Sequence, residues 1–354
     1  MKRGVHVSPV GKETSAGGIH IIGLDIGYGV TKAVLSDEKL AVFPSVCGHA
    51  REIKFKRDEL AQKYPGDQIS DDDGGWFVGD LALTQVPTGE LLKLQGRTAN
   101  DDSGGNAFRA RMAKAAIGKL FAGRMNGDVV HLSVATGLPV DHMPDAPALK
   151  QALIGQHLIQ TDSAHFVANI TEVMVMPQPY GTIYANMLTE AGDLNPCHTA
   201  TRTGVVDVGN HTIDLALDDN GEYIDAESGS VEAGVHTAQQ RIAAVLEQDY
   251  REKFPYRTIE TVLRTGCLKA FGESRDYNRE VKDALMPLRD ATLALMAVKW
   301  RTGAAVDVIY LSGGGAALLQ QPIKAAYRQA RLVENAQLSN ARGYLNYARF
   351  VARG

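Results

Sequence analysis

Cysteine is scarce in this sequence. Cys47, Cys197 and Cys267 are the only three among 354 residues. They are odd in number, far apart, and form no Cys-x-x-Cys pair. A disulfide framework or a thiolate zinc site is therefore excluded as the basis of the fold, and a reducing, cytoplasmic setting is expected. Long apolar runs are missing too. No stretch approaches the ~20 residues needed to span a bilayer. The opening segment Met1–Gly18 has no apolar block of the kind a signal peptide needs, and it is expected to be a loose polar extension. Neither sign of charge dominates. The 37 Lys and Arg against 41 Asp and Glu leave a net charge of −4, so composition implies no surface for direct nucleic-acid binding. The densest basic stretch is Arg51, Lys54, Lys56 and Arg57. It runs straight into Asp58 and Glu59, which makes it a solvated mixed-charge surface.

What the chain does have is an ordinary globular composition, 44% hydrophobic and 22% charged. It is longer than one compact core usually holds, so two domains are expected. His20-Ile21-Ile22-Gly23-Leu24-Asp25-Ile26 reads as a buried strand. Gly27 and Gly29 turn the chain, and Lys32–Leu35 leads outward as a second strand, so the pair is a hairpin. Asp71-Asp72-Asp73 reads as a turn, because no acidic residue follows at calcium-loop spacing. Apolar residues at 108, 112, 116, 117, 120 and 121 predict a helix from about Gly105 to Met125. Strands are predicted at Val129–Ala135 and Val173–Met176, with a helix starting near Gly181.

The pattern then restarts. Gly204–Val208 and Ile213–Leu215 form a second strand–turn–strand around Gly209-Asn210-His211-Thr212. Helices are predicted at His236–Asp249 and Asn278–Trp300. A strand at Val306–Leu311 runs into Ser312-Gly313-Gly314-Gly315, and another helix starts at Ala316. Two halves that each open with an Asp-x-Gly hairpin imply a duplicated α/β architecture with a cleft between them.

The first hairpin, Asp25-Ile-Gly-Tyr-Gly-Val-Thr-Lys32, has the chemistry of a phosphate holder. Small residues let backbone N–H groups approach phosphate oxygens. A carboxylate at the strand end suits the water shell of Mg²⁺, which needs few protein ligands. Lys32 adds positive charge. Alone, the motif also fits a plain glycine-rich turn. Asp207-Val-Gly-Asn-His-Thr-Ile-Asp214 repeats the design at a domain's distance, and that repetition is what makes it informative. The Gly313-Gly314-Gly315 turn before a helix allows a flat ring or a phosphate to lie close to backbone.

DIGYGVTK, DVGNHTID and LSGGGA, in that order, resemble the phosphate-1, phosphate-2 and adenosine motifs of the actin/Hsp70/sugar-kinase superfamily. Within it, the sequence is most similar to the plasmid-segregation actins of the ParM/StbA type and to archaeal actin-like proteins. ATGLPV, VMVMPQPYGTIYA and the C-terminal NARGYLNYA resemble further segments of that family. The resemblance implies an actin-like fold of two α/β domains, residues 20–180 and 181–339. Residues 1–19 would form the extension, and residues 340–354 would return to the first domain. It implies an ATPase that binds ATP (or GTP) with Mg²⁺ and polymerises head to tail. Its cargo would be plasmid DNA, reached through a DNA-binding adaptor protein, with no membrane contact.

Residue by residue, the resemblance makes Asp25 and Asp207 magnesium-water ligands and Lys32 a phosphate contact. Gly27, Tyr28 and Gly29 would offer the first hairpin's amides, and Gly209, Asn210, His211 and Thr212 would form the second loop. Gly313 and Gly314 would lie against the adenosine. Gln178 falls where segregation actins carry a catalytic Glu, and a neutral amide there positions a water instead of removing its proton. The second loop departs from the usual DxGGGTTD at Asn210 and His211. Two other readings stay open: a small-molecule kinase with Asp141 as its acceptor base, and a nucleotide-dependent scaffold that does not polymerise. Gln178 also fits an exposed turn residue between two prolines.

Overall fold

The computed structural model describes residues 18–55, 57–71, 74–95, 98–99, 105–124 and 128–353. The expected extension up to residue 17, Lys56, Asp72, Asp73 and Met125 lie outside the described residues. The chain forms two compact units. One takes the chain up to His198 together with Asn340–Gly354, and the other is Thr199–Ser339. The helix Tyr180–Met187, expected to open the second half, sits in the first unit.

The first unit is built on a nine-stranded sheet. Its order is Leu40–Pro44, Val30–Leu35, His20–Ile26, Val129–Leu138, His165–Pro177, Gly155–Thr161, Gln68–Asp71, Gly74–Val78 and Cys47–His49. His20–Ile26 pairs antiparallel with Val30–Leu35 and parallel with Val129–Leu138. It is a near-continuous apolar run because both of its faces are covered. Helix Gly105–Leu120 lays Phe108, Met112, Ala115 and Ala116 into the core at helical spacing. The strand Val129–Leu138 continues through Thr136-Gly137-Leu138, past the predicted end at Ala135.

The terminal helix Ser339–Arg353 docks backbone to backbone. A Cβ on Gly23 would stand 1.9 Å from the Ala341 carbonyl oxygen, and one on Gly343 would stand 1.6 Å from that of Gly181. Only glycine at these two positions allows the helix so close to the central strand and to the helix Tyr180–Met187. Thr182 Oγ1 donates to Asn340 Oδ1 at 2.8 Å across the same contact.

The second unit repeats the scheme with a six-stranded sheet. Arg202–Val208 pairs antiparallel with Ile213–Asp219 and parallel with Val308–Ser312. Helices Val235–Tyr250, Asn278–Trp300 and Ala316–Ala326 bury Ala238, Ile242, Leu246, Met296 and Ile323 against it. Between the first two of these helices come a helix at Tyr256–Thr265 and a separate hairpin, Cys267–Ala270 with Glu273–Asp276. Among the described residues, no helix is long and apolar enough to cross a membrane.

Candidate functional site

In the first unit the hairpin register puts Lys32 directly across from Asp25. Lys32 Nζ donates to Asp25 Oδ2 at 2.8 Å, and both side chains are buried. The second carboxylate oxygen is also engaged. Gln178 Nε2 donates to Asp25 Oδ1 at 2.8 Å. A carboxylate only accepts, so this contact fixes which end of the Gln178 amide is nitrogen and leaves Oε1 as its acceptor. The backbone holds Gln178 from both sides. Its N–H donates to Leu138 O at 2.7 Å, and its carbonyl accepts from Tyr344 Oη at 3.0 Å. A Cβ on Gly137 would stand 2.0 Å from that Tyr344 oxygen, so the glycine in ATGLPV makes room for the terminal helix.

At the turn itself, Gly27 N donates to Val30 O at 3.2 Å, and Gly29 O accepts from Ser45 N at 3.0 Å. A Cβ on Gly27 would stand 3.3 Å from Lys32 Nζ. The Tyr28 ring packs against the unit's core. The Arg109 guanidinium, on the helix above, is held below the usual arginine range by burial, with Tyr28 and Asp145 opposing that shift.

In the second unit the same hairpin puts Asp214, not a lysine, across from Asp207. Both carboxylates are buried. Gly209 N donates to Thr212 O at 2.9 Å and closes the turn. The loop is fastened to the start of helix Val235–Tyr250: Val235 N donates to Gly209 O at 3.2 Å, and His236 N donates to Asn210 O at 2.9 Å. The His211 ring, expected only as a turn position, packs at a tilt against the His236 ring, with centroids 4.7 Å apart and planes at 35°.

The third motif closes on the second. Gly313 has φ +87°, and a Cβ there would stand 2.2 Å from Asp207 Oδ1. Gly315 N donates to Val208 O at 2.9 Å. A Cβ on Gly314 would meet nothing within 4 Å, so this glycine faces open space. Its carbonyl accepts from Arg264 Nη2 at 3.3 Å. Ser312 lies beside Asp207 in register, and its buried hydroxyl has no hydrogen-bond partner.

Within the first unit, then, Asp25, Lys32 and Gln178 come together. Within the second, Asp207 meets Gly313 beside the Gly209–Thr212 loop. Asp214, Ser312, His236 and Tyr344 were not singled out by the sequence reading. Asp214 had a signal, since it closes its motif where Lys32 closes the first. Tyr344 had none, because its contact depends on where the terminal helix lands. Among the described residues no group of three or more His, Cys, Asp or Glu could cage a metal. Hydrated magnesium asks for less, one or two carboxylates and an open space. Within the second unit, the buried strand-end carboxylate of Asp207, the orphaned Ser312 hydroxyl and the open side of Gly314 fit magnesium and a nucleotide.

Two α/β units, each opening on an Asp-x-Gly hairpin, with a terminal helix returning to the first, define the actin-like fold. The family model for the N-terminal domain of actin-like proteins matches residues 23–181. The model for the C-terminal domain of archaeal, MreB-like actin homologues matches residues 205–325. The chain belongs to the actin-like proteins. Among solved structures, Ta0583, an archaeal actin homologue, is 19% identical with a TM-score of 0.74, over 93% of this chain and 99% of that one. Its complex with ADP is 17% identical with a TM-score of 0.71, over 93% and 99%. The subunit of a 15-stranded ParM filament from Clostridium botulinum is 21% identical with a TM-score of 0.72, over 94% and 99%. At these identities the likeness is one of fold. No curated protein sequence matches the chain.

Proposed function

We propose that this protein is a nucleotide-hydrolysing actin that binds Mg-ATP and polymerises head to tail, and that its filaments move plasmid DNA through a DNA-binding adaptor in the cytoplasm. The observation that carries the reading is the buried Asp25 carboxylate, held on one oxygen by Lys32 and on the other by Gln178. A plain glycine-rich turn needs no such arrangement. ADP bound to Ta0583 and the ParM filament support nucleotide use and assembly in proteins of this fold.

In this reading Asp25 and Asp207 orient magnesium-bound waters, and Lys32 neutralises phosphate charge. The amides around Gly27–Gly29 and Gly209–Thr212 hold phosphate oxygens. The glycine turn at Gly313 and Gly314 lies against the adenosine. Magnesium, when bound, would draw charge off the phosphates. Gln178 keeps its Nε2 on Asp25 and turns Oε1 to the attacking water, which it orients without removing a proton. Calorimetric titration with Mg-ATP and Mg-GTP, followed by light scattering and electron microscopy, tests the reading. Absence of binding by either nucleotide would overturn it.

A further inference from the structure

The second phosphate loop carries two histidines to which the proposed chemistry gives no side-chain task. His211 stands in the turn Gly209–Thr212, and His236 stands in the first turn of helix Val235–Tyr250. Their rings lie 4.7 Å apart between centroids, and both residues are half-buried. The main chain brings them together. Gly209 O accepts from Val235 N, and Asn210 O accepts from His236 N. A Cβ on Gly234 would stand 2.3 Å from Asn210 O and 2.6 Å from His211 N, so glycine there lets the helix start against the loop. This fastening uses main-chain groups and does not require an imidazole at 211 or 236. The pattern DxGGGTTD, which the loop otherwise resembles, has a small residue at 211.

The pair stands where positive charge is scarce. The first hairpin brings Lys32 across from its aspartate, whereas the second places Asp214 at the matching position. No lysine or arginine lies in Gly209–Thr212 or among residues 235–240 at the start of the helix. Within these two segments, only the imidazoles can become cations.

An imidazole changes charge between about pH 5 and 8. Two rings this close disfavour a second proton, so the pair titrates as a unit and holds one at most. The positive end of the helix dipole also opposes charge on His236. The other ionisable groups on the elements that meet here are Asp207 and Asp214 on the strands, Glu232 ahead of the helix, Arg241 within it, and Arg264 on the Gly314 carbonyl. The three acids favour a protonated pair, and the two arginines oppose it. Phosphates arriving at the loop add negative charge to the first side and tip the balance towards imidazolium.

We propose that His211 and His236 form one shared proton site, which binds the phosphates of the nucleotide as a single imidazolium and takes up a proton on binding. This rests on the reading of Gly209–Thr212 as a phosphate loop. Nucleotide affinity then rises as pH falls through the range where the pair titrates, because the bound state holds more protons than the free state.

Calorimetry of the full chain tests it. The titrant is Mg-AMP-PNP or Mg-GMP-PNP, which are not hydrolysed. Excess magnesium keeps the terminal phosphate deprotonated, and the protein is kept below the concentration at which it pellets. Binding heats at pH 7 in two buffers of different ionisation enthalpy give the protons exchanged. The wild type should take up about half a proton per nucleotide, since an imidazole is part-titrated there. Its affinity should rise several-fold from pH 8 to pH 6.5. In His211→Gln/His236→Gln, with wild-type circular dichroism, the uptake should vanish and the affinity should lose this pH dependence. Any proton release from Asp207 as magnesium binds has the opposite sign and persists in that variant. If the variant does not fold, NMR of histidine-labelled wild type replaces it: two imidazoles should move together towards imidazolium when nucleotide is added at pH 7. Wild-type binding without proton uptake, uptake that survives in the double variant, or imidazole signals that do not move overturns the shared site and leaves the phosphate loop standing. A wild type that binds neither nucleotide overturns the loop reading and the shared site with it.

Discussion

Lys32 Nζ sits 2.8 Å from Asp25 Oδ2, directly across the first hairpin, and both groups are buried. At the matching position the second hairpin places Asp214 against Asp207. One hairpin therefore carries its own counter-charge, and the other gathers two acidic groups.

This asymmetry has a consequence for stability. Lys32→Met would leave Asp25 as a buried carboxylate whose remaining donor is a neutral amide. Breaking a buried pair from one side typically costs about 3–5 kcal/mol. We expect a loss of that order in urea unfolding without nucleotide, and a smaller loss for Asp25→Asn/Lys32→Met, which removes both charges. A loss below about 1 kcal/mol in the single variant would mean that water reaches Asp25 and the pair does not hold the hairpin.

The adjacent glycines of the third motif should behave differently. Gly313→Ala puts a Cβ 2.2 Å from Asp207 Oδ1 at φ +87°, so both space and backbone oppose it. We expect loss of nucleotide binding and a destabilisation of several kcal/mol, in line with an incompatible site of positive φ. Gly314→Ala meets nothing within 4 Å and has no positive φ, so it should fold like the wild type. Any loss of affinity in that variant would then report contact with the ligand itself. Equal melting temperatures for the two variants would refute the distinction.

How far the sequence revealed this arrangement depended on range. The two Asp-x-Gly hairpins, the helix Asn278–Trp300 and the strand before Ser312 carry their signals locally, in apolar runs and turn glycines. The helix Tyr256–Thr265 and the strand Gly155–Thr161 were not singled out. In Gly155–Thr161 only Ile159 is buried, and the rest of the strand is polar or exposed, so its apolar alternation is weak. The contact between Gln178 and Asp25 joins residues far apart in sequence, and only the completed sheet brings them together. The same holds for Tyr344, which reaches Gln178 only because Gly23, Gly137, Gly181 and Gly343 let the terminal helix approach.

The two strand-end carboxylates should matter to turnover. With Asp25→Ala or Asp207→Ala, hydrolysis should fall on the order of 10²–10³-fold, as for removal of a preorganised electrostatic group. Phosphate release measured at saturating Mg-ATP checks the rates. Wild-type turnover in both variants would place the chemistry elsewhere.

Gln178 separates binding from cleavage. Its Nε2 is committed to Asp25, and its backbone is fixed by Leu138 and Tyr344. In Gln178→Ala those backbone contacts persist, and Asp25 keeps Lys32. Nucleotide affinity should therefore stay within a few-fold of wild type, since the side chain holds no ground-state phosphate. Hydrolysis should slow by about 10²-fold, which is roughly 2.7 kcal/mol of transition-state stabilisation. Assembly should survive, because it follows binding and not cleavage, so light scattering should rise normally and decay slowly. A small-molecule kinase would give a different trace: no rise in scattering with wild type or variant, and phosphate passed to a hydroxyl acceptor. A variant that rises and decays like wild type would mean that Gln178 is only the turn between two prolines, and that another group orients the water.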